Sequence, residues 1–336
     1  MNSIDVLYNL PGVELEASDA GVLEEVEGVC DALSQLGIEH RKVGLSREGF
    51  LDVWPLLTQD TLVFNLCEGL DGEAGFESLV AGVLELYHIP FTGSSSRTLG
   101  LCQDKAVTKA LLSNAGVPCV PGWSFSHVPQ AAQLAKLRYP VIVKPQREDG
   151  GLGVTRDSVV HSLRALRERL AWVIETFHQP ALVESYVHGR ELNVAIVNKG
   201  GNVMVLPPSE IQFQGNPEVA LVTHDAKWKA GSKDDLETAV LCPATLSPVL
   251  KRQVERSCLA AWRVMGCRDY CRVDLRVTAS GTPLVLEVNP NPDISRDAGL
   301  ARSASVARLS YVRLIETILE NAWKRNGMSD PSKPVT

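Results

Sequence analysis

Residues 271–292, CRVDLRVTASGTPLVLEVNPNP, contain two runs in which apolar and polar residues alternate. A period of two is typical of β-strands that bury one face. The dipeptide Ser280-Gly281 between the runs favours a tight turn, so the stretch predicts a β-hairpin. The apolar face predicted for its first strand consists of Cys271, Val273, Leu275 and Val277. The apolar face predicted for its second strand consists of Leu284, Leu286 and Val288.

The other face of the predicted hairpin carries charged and amide side chains. A two-residue loop pairs Asp274 with Glu287 and Arg272 with Asn289, whereas a bulged turn would shift this pairing by one residue. Two carboxylates and an amide oxygen on rigid strands suit Mg²⁺, which shares its ligand shell with substrate phosphates. Arg272 would then stabilise a phosphate or an oxyanion. The alternative is a sheet edge with solvated charges.

Length and composition indicate a globular protein with more than one compact unit. The 336 residues suffice for two or three such units, and the net charge of −7 argues against nucleic acid as a partner. Residues 1–5 are not a basic stretch before a long apolar run, and no apolar run reaches the roughly 20 residues of a membrane span. We therefore expect a cytoplasmic protein. The eight cysteines lack paired CxxC spacing, which favours reduced thiols over disulfides or zinc ligands.

The N-terminal part of the chain alternates between short apolar runs and segments with helical spacing. The alternation predicts strands and helices, in chain order, at residues 4–8, 22–36, 61–66, 74–87 and 89–93. A β-α-β-α order is typical of a parallel sheet with helices on its faces. Ligands bind at the C-terminal ends of such strands, which places Glu68 near a substrate.

Two lysines and a glycine-rich loop follow in the central part of the chain. Lys105 lies in the first turn of a helix predicted over residues 103–115, and Lys144 closes the predicted strand PVIVKP. The loop after Lys144 contains Gly150 and Gly151 but lacks the GxxxxGK pattern of a Walker A loop, and no helix opens directly from it as in a Rossmann fold. Its backbone N–H groups could bind phosphate. A surface hairpin loop is the alternative.

The remaining segments are predicted from the same patterns. They comprise a helix over 158–177, a strand over 181–184, a hairpin over 191–206 and a helix over 250–265. Glu184 and Glu191 flank the turn before that hairpin and could accept hydrogen bonds from an adenine amino group and ribose hydroxyls, or simply line a polar loop. Residues 208–243 are polar and irregular, so we expect a mobile lid or a binding loop there. The tail over 326–336 is expected to be disordered.

The order of these motifs resembles the ATP-grasp superfamily and, within it, the D-alanine–D-alanine ligase family. The motifs are PVIVKP with its glycine loop, VESYVHGRELNVAIV, HDAKW and the CRVDLRV–LVLEVNPNP hairpin, extended by VFNLCEGLDGEAGFES and HIPFTGSS. The resemblance runs from about residue 61 to residue 325. It implies an α/β fold of three domains with the nucleotide held between two lobes. These are an N-terminal parallel-sheet domain over 1–98, a central lobe over 99–187 and a C-terminal lobe over 188–325.

Site residues are carried over from the family position by position. The resemblance implies ATP and Mg²⁺ as cofactors, with two Mg²⁺ ions that Mn²⁺ can replace. The implied metal ligands are Asp274, Glu287 and Asn289. The implied nucleotide contacts are Lys105, Lys144, Glu184, Tyr186, Val187, Glu191 and Lys227. The implied catalytic groups are Arg272 and Lys227, with Gly150 and Gly151 in a closing loop.

The amino-acid side of the chain departs from the family pattern. The N-terminal Gly-Gly-x-Ser-x-Glu motif is missing, so the acid that binds the first ammonium group is not fixed. Glu68 stands where the family has histidine, Gly150 replaces a serine and Trp228 replaces a lid tyrosine. The segment PNPDISRDAG lacks the glycine and serine that contact the second D-alanine carboxylate. Candidate substrate contacts are Glu14, Glu16, Glu68, Trp228, Asp293 and Arg296.

We therefore predict an ATP-dependent carboxylate–amine ligase for small amino-acid or amine substrates other than two D-alanines. One alternative is a genuine D-alanine–D-alanine ligase with a divergent N-terminal region. A second is a non-catalytic ATP-binding regulatory protein, which the intact set of Arg272, Asp274, Glu287 and Asn289 disfavours. A metal hydrolase is disfavoured because no histidine cluster or activated nucleophile accompanies the carboxylates. Nucleic-acid and membrane partners are not expected, and the family resemblance implies a homodimer.

Overall fold

In the computed structural model of this protein, the described residues are 3–11, 17–134, 136–215, 218–229 and 231–328. The side chains of residues 17–20 and 228 lie outside the description, as do Glu14 and Glu16 and most of the C-terminal tail. No described helix is long and apolar enough to cross a membrane. All eight cysteines are free thiols, as predicted.

The N-terminal part forms a three-stranded parallel sheet with the order β2-β1-β3. Its elements are β1 (Ile4–Asn9), α1 (Ala17–Gln35), β2 (His40–Leu45), α2 (Phe50–Val53), β3 (Leu62–Asn65) and α3 (Glu77–Leu86). Helices α1 and α3 pack in separate clusters on the two faces of this sheet. The predicted parallel sheet with alternating strands and helices is confirmed, but the prediction missed strand β2 and the short helix α2. The strand predicted over 89–93 is wrong, since only an isolated bridge joins Phe91 to Val63.

The central part forms a four-stranded antiparallel sheet with the order β4-β7-β5-β6. Its elements are α4 (Ser96–Gln103), α5 (Lys105–Asn114), β4 (Gly122–Phe125), α6 (Ala131–Leu134), β5 (Val141–Pro145), β6 (Val159–Val160), α7 (Leu163–Phe177) and β7 (Ala181–Ser185). Asp104 caps α5 by accepting two backbone hydrogen bonds, so this helix begins at Lys105. The helix predicted over 158–177 begins only at Leu163, because residues 159–160 pair with β5.

The C-terminal part forms a sheet with the order β11-β10-β8-β12-β13, and β9 also pairs with β8. Its elements are β8 (Gly189–Lys199), β9 (Asn202–Val205), β10 (Ser209–Phe213), α8 (His224–Trp228), α9 (Lys233–Leu236), β11 (Thr238–Leu241), α10 (Pro248–Met265), β12 (Tyr270–Thr278), β13 (Pro283–Asn289), α11 (Gly299–Val306) and α12 (Tyr311–Arg325). The prediction of an irregular stretch over 208–243 is wrong. Two strands and two short helices lie there.

The hairpin of β12 and β13 has the predicted pairing. Asp274 lies opposite Glu287 and Arg272 lies opposite Asn289. The turn does not have the two residues that we expected, because the N–H of Thr278 donates to the carbonyl of Thr282 across a three-residue loop. A second irregularity therefore has to restore the register.

That irregularity is a β-bulge at Leu286. The pairing shifts between Asp274 and Leu275, which leaves Leu286 as the extra residue of β13. Beyond the bulge the faces exchange, so Val285 and Val288 both lie in the core under α10. The apolar face predicted for this strand, with Leu284 and Leu286, is therefore wrong. The face predicted for β12 is correct, since its four apolar residues are all buried.

Candidate active site

The polar face of the β12–β13 hairpin forms the centre of the candidate site. Arg272 donates to Asp274 through Nε at 2.8 Å and through Nη2 at 2.9 Å. Asn193, directly opposite Asp274 on β8, donates to the same carboxylate at 2.7 Å. Burial and the neighbouring Glu287 raise the pKa of Asp274, while Arg272 opposes this shift. Sequence reasoning missed Asn193. The available signal was that Asn193 is a polar residue in the alternating apolar and polar pattern of β8.

Glu287 is surrounded by cations. Burial alone would raise its pKa, but Lys105, Lys227 and Lys144 together hold the pKa of Glu287 well below its usual range. The nearest of them is Lys105, whose Nζ lies 3.8 Å from Oε2 of Glu287. The charge of Lys227 acts on Glu287 from α8, where the Lys227 side chain is exposed. Glu287 is therefore an ionised carboxylate at neutral pH.

The oxygen atoms of Asp274, Glu287 and Asn289 could hold a divalent cation. Among the described residues no three His, Cys, Asp or Glu side chains are grouped to bind a metal, so the amide of Asn289 would have to supply the third ligand. An all-oxygen set suits Mg²⁺ and does not suit zinc. Because Arg272 occupies both oxygens of Asp274, it would have to turn aside for the metal to bind.

The glycine-rich loop lies between Lys105 and α8. Nζ of Lys105 lies 2.8 Å from Asp149 and donates to the carbonyl of Glu148 at 2.5 Å. Burial would lower the pKa of Lys105, but Asp149 and Glu287 raise it above its ordinary value. Gly151 has a φ of +81°, and a Cβ on it would lie 3.2 Å from the backbone nitrogen of His224. Gly150 has a φ of +62°. The loop therefore needs glycine both for its conformation and for its contact with α8.

Glu184 lies at the end of β7 and is held by two lysines. Its carboxylate is 2.6 Å from Nζ of Lys109 and 2.9 Å from Nζ of Lys144. Burial would raise the pKa of Glu184, but Lys109 and Lys144 keep it below the ordinary value. Lys109 was not predicted. Its position four residues after Lys105 places both lysines on one face of α5, and this spacing was a usable signal.

Glu191 lies across the β7–β8 connection from Glu184. It is paired with Arg276 on β12, with 2.8 Å between Oε2 and Nη2. Burial raises the pKa of Glu191, and Arg276 opposes the shift. Tyr186 and Val187 lie in the connection itself, where the Tyr186 hydroxyl accepts from the N–H of Ala220 at 2.8 Å.

The candidate substrate residues fall into two groups. Glu68 and Asp293 lie together, and burial with the charges of Asp293 and Asp149 raises the pKa of Glu68 to about 7. Glu25 of α1 joins them. Its carboxylate accepts from the N–H of Ile294 at 2.8 Å, and burial with the charge of Glu68 raises its pKa well above the usual value. Sequence reasoning missed Glu25, although a glutamate within the valine stripe of α1 was a visible anomaly.

The remaining candidates lie elsewhere. Arg296 pairs with Asp31 at 3.3 Å, and its guanidinium lies 4.8 Å from the ring centre of Tyr311. It therefore lies partly exposed beside α1 and α12. Trp228 ends α8, but its side chain is outside the described part of the chain.

Comparisons with known proteins agree with the fold. The family model described as the D-ala D-ala ligase C-terminus matches residues 111–320. The D-alanine–D-alanine ligase of Thermotoga maritima is 30% identical over 310 residues, which cover 91% of this chain and 94% of that protein. The uncharacterized protein y4sG of Sinorhizobium fredii is 37% identical over 279 residues, covering 83% and 79% of the two chains.

The solved structures show the same likeness. The D-alanine–D-alanine ligase of Bacillus anthracis superposes with a TM-score of 0.78 at 25% identity, covering 97% of this chain and 99% of that chain. The sequence match to the Thermotoga maritima ligase and this superposition both extend well beyond residues 111–320, which the family model matches. The chain therefore belongs to the D-alanine–D-alanine ligase family of the ATP-grasp superfamily.

Proposed function

We propose that the protein is an ATP-dependent ligase that joins a carboxylate to an amine through an acyl phosphate. The observation that carries the proposal is the hairpin face on which Arg272, Asp274, Glu287 and Asn289 meet. Phosphoryl transfer depends mostly on positioning and on neutralising charge. The cations whose charges reach Glu287 supply that neutralisation; they are Lys105, Lys144, Lys227 and Arg272.

The residues of the site would have separate roles in binding ATP. Asp274, Glu287 and Asn289 would hold Mg²⁺, which screens the phosphate oxygens when the nucleotide is bound. Lys105 and Lys144 would contact the phosphates. Glu184 would accept hydrogen bonds from the base, and Glu191 would accept hydrogen bonds from the ribose.

Two steps follow from this arrangement. The donor carboxylate attacks the γ-phosphorus of ATP, and ADP leaves. The amine then attacks the acyl carbon, loses a proton and expels inorganic phosphate. Arg272 would stabilise the negative charge that develops in both steps after it turns from Asp274. The glycine loop packed on α8 would exclude water, which otherwise hydrolyses the acyl phosphate.

We infer that the substrates include an ammonium group bound by the carboxylates Glu25, Glu68 and Asp293. Neighbouring carboxylates are stabilised either by protonation of one of them or by a bound cation. A substrate ammonium group would supply that cation. Arg296, which could have clamped a substrate carboxylate, pairs instead with Asp31. The departures of Gly150, Trp228 and the segment PNPDISRDAG from the family pattern support a substrate pair other than two D-alanines.

A genuine D-alanine–D-alanine ligase is the second candidate. It is favoured by the relative from Thermotoga maritima, which carries that name and is 30% identical over 91% of this chain. The first D-alanine also presents an ammonium group, so the acidic cluster fits this candidate in part. The two candidates differ in the second substrate.

The deciding experiment is a product screen with Mg²⁺-ATP. D- and L-amino acids and diamines are supplied singly and in pairs, ADP release is followed, and products are identified by mass spectrometry. We expect a product lighter by one water than the sum of two substrates, with an amine partner other than D-alanine. D-alanyl-D-alanine from D-alanine alone would support the second candidate. ATP binding without ADP release from any pair would contradict a ligase.

A further inference from the structure

Arg276 is a buried arginine that neither reaction step uses. It lies directly opposite Glu191 on the neighbouring strand, and the two side chains are only 5% and 11% exposed. Their charged atoms Nη2 and Oε2 are 2.8 Å apart. Because a buried charge without a partner is strongly unfavourable, each of these side chains depends on the other for its position.

The guanidinium of Arg276 is held at several points. Nη1 donates to the carbonyl of Gly189 at 3.0 Å, and Nη2 donates to the carbonyl of Ala220 at 2.6 Å. The ring centre of Phe213 lies 5.7 Å from its central carbon. A planar fork fixed by acceptors on several elements has little freedom to move. It therefore gives Glu191 one defined orientation.

We propose that Arg276 is a positioning residue that makes the nucleotide site selective for ribonucleotides. This rests on the proposed function, in which Glu191 accepts hydrogen bonds from ribose hydroxyls. Arg276 engages Oε2 of Glu191, and Oε1 can accept a hydrogen bond from the sugar. A deoxynucleotide would leave this oxygen of a largely buried carboxylate without its partner, which costs binding free energy.

The test is a direct binding measurement that does not depend on turnover. Isothermal titration calorimetry with Mg²⁺ present compares ATP, 2′-deoxy-ATP and 3′-deoxy-ATP. The wild-type protein is expected to bind ATP about tenfold more tightly than the weaker deoxynucleotide, the usual size of one hydrogen bond to a charged group. Arg276→Met is expected to bring this ratio close to one, mainly by weakening ATP.

A matched control separates positioning from general loss of a buried arginine. Arg325 donates to Asp269 at 2.6 Å and to the carbonyl of Phe91 at 2.7 Å, so it has a similar set of partners outside the site. Arg325→Met should leave the ATP to deoxy-ATP ratio unchanged. Glu191→Gln should lower the ratio as far as Arg276→Met does, and combining the two should lower it no further.

Each outcome has a clear meaning. A folded Arg276→Met variant that keeps the wild-type ratio would overturn the proposal, and so would a wild-type protein that binds all three nucleotides equally. If Arg276→Met does not fold, Arg276→Lys is measured instead, because lysine keeps the charge but cannot reach all the acceptors. A wild-type protein that binds no nucleotide would contradict the proposed function itself, which distinguishes the two failures.

Discussion

At the scale of single residues, the site is a balance of neighbouring charges. Arg272 neutralises Asp274 through two hydrogen bonds, whereas Glu287 is kept ionised by several cations that each lie farther away. The two carboxylates proposed as metal ligands therefore differ, because Asp274 already accepts hydrogen bonds and Glu287 has only more distant cations. Glu287 is the one available to a cation without displacing a bonded partner.

Glu287→Gln tests this assignment. Losing the charge should lower ADP formation by at least about 100-fold, since removing one electrostatic contact to a transition state costs that much. The free energy of unfolding should change by no more than about 1 kcal/mol, because the pairs of Glu287 are long and both Lys105 and Arg272 keep closer partners, Asp149 and Asp274. Steady-state ADP release and urea unfolding measure the two quantities. Glu168→Gln, on the exposed face of α7, is the control, and near-normal turnover of Glu287→Gln would remove Glu287 from the metal site.

The pKa of Glu68 predicts a pH dependence. Burial, Asp293 and Asp149 raise this pKa to about 7, so Glu68 loses its proton as the pH rises through neutrality. Only the deprotonated form attracts a substrate ammonium group, and KM for that substrate should therefore fall as the pH rises to about 7 and then level off.

The dependence is measured as KM against pH for wild-type protein and Glu68→Gln. The substitution should flatten the profile, while Glu73→Gln, an exposed glutamate in the same segment, should leave it unchanged. A wild-type KM that does not vary across neutral pH would exclude Glu68 from ammonium binding.

At the scale of elements, Lys109 joins three parts of the fold. From α5 it pairs with Glu184 on β7 at 2.6 Å and donates to the carbonyl of Leu286 on β13 at 3.2 Å. That carbonyl belongs to the bulge that brings Glu287 opposite Asp274. The lysine thus connects the strand of the proposed base contact with the strand of the proposed metal ligand.

Lys109→Met should destabilise the protein by about 2 kcal/mol, because the carbonyl of Leu286 loses its donor and the buried carboxylate of Glu184 keeps only Lys144 as a partner. Lys42→Met removes a lysine whose pair with Glu27 is exposed, and it should change the free energy of unfolding by less than about 1 kcal/mol. Chemical denaturation of both variants gives the comparison. Equal effects of the two substitutions would show that Lys109 has no special structural role.

Among the elements, the sequence predicted those strands and helices that have a regular alternation of apolar and polar residues. The alternation in 271–292 predicted the pairing of Asp274 with Glu287, but not the bulge, because Leu286 fits an uninterrupted apolar pattern as well as a bulge does. Strand β11 was missed because it is an edge strand with a largely exposed burial pattern, so no apolar alternation marks it. Glu25 was missed because its neighbours in the site come from distant segments.

At the scale of the whole molecule, the central and C-terminal lobes are joined by ion pairs on the surface. Arg156, between β5 and α7, donates to Asp234 at 2.7 and 3.1 Å and to Glu237 at 2.5 Å, both beside the segment that carries α8. The order of motifs along the chain predicted the family and hence these lobes. It could not predict their contacts, since surface pairs leave no periodic signal.

Arg156→Ala should weaken the closure of the central lobe on the segment that carries α8, with little loss of stability. Exposed pairs contribute up to about 1 kcal/mol each, yet a site that opens more often admits water to the acyl phosphate. We expect more ADP released per molecule of ligated product, measured by parallel ADP and product assays. Arg164→Ala breaks a pair within α7 alone and should not change this ratio. An unchanged ratio in Arg156→Ala would mean that the pairs do not control closure.

The central claim is an acyl phosphate made from the donor carboxylate, and oxygen-18 tests it most directly. The protein is incubated with Mg²⁺-ATP and the substrate pair found in the product screen, with both carboxylate oxygens of the donor labelled. The released inorganic phosphate is then analysed by mass spectrometry. One labelled oxygen per phosphate is the predicted result, because the carboxylate oxygen that attacks phosphorus leaves with it. Labelled AMP with unlabelled pyrophosphate, or unlabelled phosphate alone, would contradict the account.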